Sequence, residues 1–425
     1  MFDVVSGNSQ RFCNGTSRRS FLKLGTLALG AGALSLADLY RAEAAAGIGS
    51  SHKAIINIHL GGGPSHQDMF DLKPEAPVEF RGEFNPIKTN VSGMEICEHM
   101  PLLAKMAEKW AVVRALVGMK DDHTNFQTQT GWDRNDLRNA GGRPSLGSVV
   151  SRLQGPAGSG APPFISYSQT YDGYLGPVYK AYKPSGGDLR LTGGMDASRL
   201  ESRTSLLSSL DKIRREADAS GQMSALDAYT ERAVGVVTSG LVADALDLQK
   251  EDPKVKERYG KDDGRMFLTA RRLVEAGVRV VTFDWGGWDT HSDNFKNLSK
   301  QLPRLDQGMS ALIQDLHDRG MDKDVTIVMW GEFGRTPRVN PGAGRDHWSK
   351  VSMSFLAGGG MRTGQMIGTT TRNAEEAKDR PVHLREVFST LYHNLGIDTM
   401  RTTLKDAAGR PQYLTEQKPT IPELV

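Results

Sequence analysis

What most constrains this chain is the order of its apolar runs. Lys53 to Leu60 is mostly apolar and stops at Gly61-Gly62-Gly63-Pro64, the pattern of a buried strand that ends in a tight loop. Four more runs of this kind follow, at residues 111–116, 278–283, 325–330 and 352–357. Helical patterns lie between and after them: residues 101–109, residues 124–132 with Asp122 placed to cap the first turn, residues 144–153, and residues 266–276 closed by Gly277. Residues 302–319 put Leu305, Met309, Leu312, Ile313 and Leu316 on one helical face, and residues 384–395 end at Gly396. Strands alternating with helices predict an α/β fold of three layers, α/β/α, with a mostly parallel sheet covered on both faces. In such a sheet, ligands bind beyond the carboxyl ends of the strands.

The unusual polar residues stand at those ends. After the first strand comes a Gly-rich turn carrying His66, Asp68 and Asp71. After the third comes Asp284-Trp285-Gly286-Gly287-Trp288-Asp289-Thr290-His291, with a carboxylate and an imidazole two residues apart and two tryptophans placed to wall a pocket. After the fourth come Gly331-Glu332-Phe333-Gly334-Arg335 and then Gly344-Arg345-Asp346-His347-Trp348. Arg335 has the planar donor fork that clamps an oxyanion. Taken singly, each cluster is also what a capped turn or a loop ion pair looks like. Together, His66, Asp68, His123, Asp289, His291, Glu332, Asp346 and His347 make an N/O donor set without cysteine. That set suits one or two divalent cations and leaves Zn, Mn, Mg and Ca open. His52 and His99 read as surface, His59 as a core histidine within its strand, and His317, His383 and His393 as helical or flanking.

Composition removes several alternatives. A net charge of +3 over 425 residues carries no basic excess for a nucleic-acid partner. Two cysteines, Cys13 and Cys97, exclude a cysteine-based metal site. The segment Ser17-Arg18-Arg19-Ser20-Phe21-Leu22-Lys23 matches the twin-arginine export pattern, followed by a mildly apolar stretch from Leu24 to Leu36 and a small-residue site at Ala44-Ala45-Ala46. Residues 1–46 are therefore expected to be a signal peptide read by the twin-arginine export machinery, and the protein to be periplasmic or otherwise exported. Five basic and three acidic residues leave with that segment, so the charge falls from +3 to +1. No later stretch reaches 18 uninterrupted apolar residues, so the processed chain is not expected to be integral to a membrane. Residues 47–425 then read as one domain with an insertion around 155–250. Residues 155–200 of it, rich in Gly, Pro, Ser and Tyr, suggest a surface rim, and residues 202–250 charged helices.

The motifs Gly62-Gly63-Pro64-Ser65-His66-x-Asp68-x-Phe70-Asp71-x-Lys73-Pro74, Gly286-Gly287-Trp288-Asp289-Thr290-His291, Gly331-Glu332-Phe333-Gly334-Arg335-Thr336-Pro337 and Gly344-Arg345-Asp346-His347-Trp348 resemble those of the exported family known as domain of unknown function 1501. That family is grouped with the alkaline-phosphatase-like superfamily that contains the sulfatases. The resemblance implies an alkaline-phosphatase-like sheet and metal ligands at Asp68, Asp289, His291, Glu332 and His347. It also departs from the sulfatase pattern. The position of the sulfatase nucleophile, ten residues before Gly131, holds Asp121, and its surroundings read Asp121-Asp122-His123-Thr124-Asn125. Thr124 then stands as a phosphatase-like nucleophile, with metal-activated water as the alternative, and His123 as a proton carrier or a ligand. The pair Asp289-x-His291 is also closer than the superfamily's usual spacing.

The leading expectation is an exported, metal-dependent hydrolase of phosphate or sulfate esters, acting on a small-molecule or carbohydrate ester. Asp68, Asp289, His291, Glu332, Asp346 and His347 would bind a divalent metal, Thr124 or water would attack, Arg335 would hold the oxyanion and His123 would move protons. The competing expectation is a binding or scaffold protein on the same fold with catalysis lost.

Overall fold

The computed structural model describes residues 52–156, 161–184, 240–260 and 264–425. The expected signal peptide and the helical patterns at 202–239 lie outside them. Eight strands form the main sheet: β1 Ala54–His59, β2 Trp110–Val117, β3 Phe164–Ser166, β4 Val280–Asp284, β5 Val325–Trp330, β6 Ser352–Gly358, β7 Gln365–Ile367 and β8 Val382–His383. Their order is β7-β2-β6-β5-β1-β4-β3, with β8 also pairing β2. All pairings are parallel except those of β6, which runs antiparallel to both β5 and β2. The protein is thus mixed α/β around a large, mostly parallel sheet.

Alternation along the strands sends side chains to two separate cores. Ile56 and Ile58 of β1, with Ile327 and Met329 of β5, pack under helices α3 Arg265–Glu275 and α4 Asn294–Asp318. Ile55, Val328 and Trp330 pack on the other face under α2 Leu146–Gln154 and α5 Leu384–Asn394. Leu305, Met309, Leu312 and Leu316 of α4 are all buried, which stabilises the layer by roughly 2 kcal/mol per side chain.

Several local readings change: the helix expected at 101–109 divides into Pro101–Ala104 and a short turn at Ala107–Lys109, and His52, read as surface, is buried. Helix α4 begins eight residues before the expected start and runs through Pro303, because Phe295, Leu298 and Leu302 bury on the same face. The expected helix at 124–132 shortens to α1, Phe126–Thr130, which stops at Gly131 with φ +80°; a Cβ there would stand 2.9 Å from the Phe388 ring. Within the region read as a surface rim, Phe164–Ser166 is a fully buried strand that pairs with β4. Among the described residues no helix is long and apolar enough to cross a membrane.

Candidate metal and catalytic site

The parallel strands β1, β4 and β5 and the parallel-running β2 all point their carboxyl ends to one side, and the polar loops meet there. The Gly-rich loop after β1 makes the meeting close. At Gly62, φ is +112° and a Cβ would lie 2.3 Å from the backbone nitrogen of Asp289, so only glycine lets the two loops cross. The Gly62 and Gly63 N–H groups donate to the two carboxylate oxygens of Glu332 at 2.8 and 3.2 Å. Glu332 follows β5 and is buried, and that burial raises its pKa against the hydrogen bonds from the Gly62 backbone and His123. The ordering of Glu332 is therefore a product of the same loop that admits Asp289.

Asp289 is the centre of the site. Its Oδ1 lies 3.0 Å from His291 Nε2 and 3.3 Å from His347 Nε2, and its Oδ2 lies 3.0 Å from His123 Nε2. Each of these histidines turns its other nitrogen to a carboxylate of its own. His123 Nδ1 is 3.1 Å from Glu332, His291 Nδ1 is 2.8 Å from Asp346, and His347 Nδ1 is 3.0 Å from Asp121. A carboxylate at Nδ1 favours a proton on that nitrogen and leaves the Nε2 lone pair facing Asp289. His291 Nε2 and His347 Nε2 then stand 3.1 Å apart with lone pairs facing. Two such lone pairs repel unless a proton or a metal ion lies between them. Phe333 packs on the His347 ring at a centroid distance of 4.3 Å and fixes its plane.

The dimensions fit a metal. Three donor atoms, His291 Nε2, His347 Nε2 and Asp289 Oδ1, lie 3.0–3.3 Å from one another. Tetrahedral zinc with bonds of about 2.0–2.1 Å requires edges of roughly 3.3 Å. His123, Asp289 and His347 likewise bring ligand atoms within 4.8 Å of one another. Partial burial raises the pKa of the Asp289 carboxyl, but the hydrogen bond and charge of Arg335 outweigh this and hold it well below the usual aspartate range.

The sequence-derived set divides here. Asp289, His291, His347, Glu332, Asp346 and His123 come together, and Asp121 joins them through His347. Asp68 does not. Its buried carboxylate takes both Arg345 donors at 2.8 and 2.9 Å, the Ser65 hydroxyl at 2.6 Å and the Asn294 amide at 2.9 Å. His66 is fully buried with no hydrogen-bond partner at either ring nitrogen, and burial pushes its pKa down to about 4. Arg335 lies under the site rather than in it. It is 0 % exposed and donates to the carbonyls of Gly63, Arg345, Gly62 and Trp288 and to Asp289 Oδ1 at 2.5 Å. Its guanidinium holds Asp289 and gives a substrate oxyanion no open approach. Trp288 is buried in the core against Trp285 instead of walling a pocket.

Thr124 lines a cavity of about 380 Å³ together with His59, His123, Asn125, Gln169, Asp284, Asp289 and Glu332. His59, read as a core histidine, is buried, and burial lowers its pKa to about 4; it also reaches 3.6 Å from Glu332. A larger cavity, about 500 Å³, lies at the opposite end of the strands around His317, Ile327 and Gly358 and holds none of these groups. Sequence reasoning missed Asp121 and Asp284 as site residues. Asp121 stands four residues past the end of β2 and Asp284 is the last residue of β4, and that placement was the available signal.

Residues 52–425 match the family model described as "Protein of unknown function (DUF1501)". No curated protein matches the sequence. Among solved structures the chain is similar to Ps i-CgsB, at 10% identity over 82% of this chain and 73% of that one with a TM-score of 0.35. It is similar also to Ps i-CgsB in complex with k-i-k-neocarrahexaose, at 9% identity over 82% and 73% with a TM-score of 0.34. Likeness at this level says nothing of activity.

Proposed function

The chain belongs to the DUF1501 family, described as proteins of unknown function, and we propose from its site that it is an exported, metal-dependent hydrolase of phosphate or sulfate esters. The observation that carries this reading is the repeated pairing around Asp289: three histidines, each with Nε2 toward Asp289 and Nδ1 on a separate carboxylate. Carboxylate–histidine pairs of this kind orient metal ligands. In this reading Asp289, His123, His291 and His347 hold a divalent cation, and Glu332, Asp346 and Asp121 orient the rings. A donor set richer in imidazole than in carboxylate favours Zn over Mg and Ca. Such a cation would polarise an ester oxygen and make water more acidic.

The chain's own groups supply the rest. Arg335 fixes the Asp289 carboxylate from below, and Asp68 with Arg345 braces the loop that carries Asp346 and His347. Thr124 faces the cavity, so either its hydroxyl or a water attacks from that side. Kinship with the alkaline-phosphatase-like superfamily and export by the twin-arginine route belong to the same proposal. One observation favours the competing binding-protein reading: no Lys or Arg is among the residues that line the cavity, so the charge of an anionic ester would be met by the cation alone.

The test is a screen of aryl phosphate, phosphodiester and aryl sulfate hydrolysis with Zn, Mn, Mg and Ca supplied in turn. Turnover with at least one pairing, lost in Asp289→Asn, is the expected result. A metal-loaded protein that turns over none of them overturns the hydrolase and supports the binding protein.

A further inference from the structure

One carboxyl group in the cavity has no part in the histidine cluster. Asp284 ends β4 on the cavity wall, and its Oδ1 accepts from the Ser168 hydroxyl at 2.6 Å. Ser168 is itself fixed, its N–H donating to the Ser166 hydroxyl at 3.0 Å at the end of β3. Among the described residues no histidine or arginine forms an ion pair with Asp284. The neighbouring wall is neutral and hydrogen-bonding: Thr124, Asn125 and Gln169, with the Tyr171 hydroxyl donating to Asn125 Oδ1 at 3.0 Å. Asp289 and Glu332, with His59 and His123, stand among the residues lining the same cavity.

We propose that Asp284 is a catalytic residue, the proton donor to the departing alcohol oxygen, and that the substrates are phosphate or sulfate esters of neutral, hydroxyl-bearing alcohols such as sugars. This rests on the hydrolase reading above. A cavity with one wall of amides and hydroxyls, three carboxyl groups and no lysine or arginine in its lining receives a neutral polyol better than a polyanion. An alkyl alcohol is a poor leaving group, and a positioned acid matters most for such a group. The balance is simple. Water adds its oxygen to phosphorus or sulfur and gives a proton to solvent. The ester bond breaks with its electron pair on the alcohol oxygen, and that oxygen takes the Asp284 proton, which solvent later restores. The surroundings suit the role: Asp284 is open to the cavity, and the desolvation it still undergoes raises its pKa, against the hydrogen bonds from Ser168 and Asn125 and the charge of Lys183.

The experiment compares glucose 6-phosphate with p-nitrophenyl phosphate, and glucose 6-sulfate with p-nitrophenyl sulfate, in the metal-loaded wild type, Asp284→Asn and Ser168→Ala. Metal content is measured for each protein. Asp284→Asn is expected to lower kcat/KM on the sugar ester by about 100-fold or more, at least about tenfold more than on the p-nitrophenyl ester, whose oxygen leaves with little need of a proton. The basic limb of its pH profile is lost. In Ser168→Ala that limb moves to higher pH, because a hydrogen bond to the ionised carboxyl has been removed. Equal losses on both esters, or loss of metal in Asp284→Asn, overturn the proposal. A wild type that cleaves aryl but not sugar esters overturns the substrate class while the hydrolase stands. A wild type that cleaves neither removes the hydrolase reading, and this proposal with it.

Discussion

Asp68 offers the sharpest division between a ligand and a structural ion pair. Its carboxylate receives four hydrogen bonds, two of them from Arg345, and the two side chains are 1 % and 0 % exposed. Asp68→Asn keeps the volume and removes the charge. Arg345 then keeps the carbonyls of Thr336, Pro337 and Phe80 and one amide oxygen at position 68, and remains a buried cation without a counterion. Breaking a buried pair in this way costs about 3–5 kcal/mol. A domain of about 375 residues unfolds with an entropy near 0.8 kcal/mol/K, so the loss lowers Tm by about 4–6 °C. Differential scanning calorimetry and urea titration measure it. Asp68→Asn combined with Arg345→Met strands no charge, so its loss should fall short of the sum of the single losses by about 2–3 kcal/mol. The reasoning is refuted if Asp68→Asn leaves Tm within about 1 °C of wild type while bound metal disappears. Asp68 would then be the ligand its place in the sequence suggested.

Three further outcomes follow from the same geometry. Arg335→Lys should not restore what Arg335→Met loses, since one ammonium cannot reach four carbonyls and Asp289 together; soluble yield and Tm of the two variants check this. Asp121→Asn frees His347 Nδ1 from its carboxylate and should weaken metal binding about 10–100-fold in a chelator competition, with little change in Tm because Asp121 is exposed. His59 and His66 are held neutral, with pKa values lowered from 6.5 to about 4 by burial. The unfolded chain takes up protons below pH 6.5 and the folded one does not until about pH 4, so stability falls as pH drops through that window, by roughly 3 kcal/mol for each histidine. Urea midpoints between pH 7.5 and 4.5 test this, and a flat profile contradicts it.

The sheet was legible where strands carry their own signal. Val325–Trp330 is apolar but for Thr326 and buried on both faces, and its bounds are those read from the residues. Phe164–Ser166 was not legible, because three residues in a Gly-, Pro- and Ser-rich stretch carry no period; pairing with β4 makes them a strand. The start of α4 was hidden by Pro303, which reads as an early helical position although the helix runs through it. At the site, the residue types were legible and their roles were not. Asp68 and Asp289 look alike in sequence, each a carboxylate in a Gly-rich loop. Their difference comes from Arg345, which is 277 positions from Asp68 and reaches that carboxylate, while Arg335 supports Asp289 from beneath. Glu332 and Asp346, expected as direct ligands, approach the histidines at Nδ1, a relation that only tertiary contact sets.

Metal content measures the central claim most directly. Elemental analysis of protein purified from an export-competent host, with no metal added, should find at least one zinc-like divalent ion per chain. That ion should be absent when Asp289 and His291 are both replaced by Ala, and its removal by chelation should lower Tm. A protein that carries no metal, binds none on titration and melts at the same temperature with and without chelator contradicts the account.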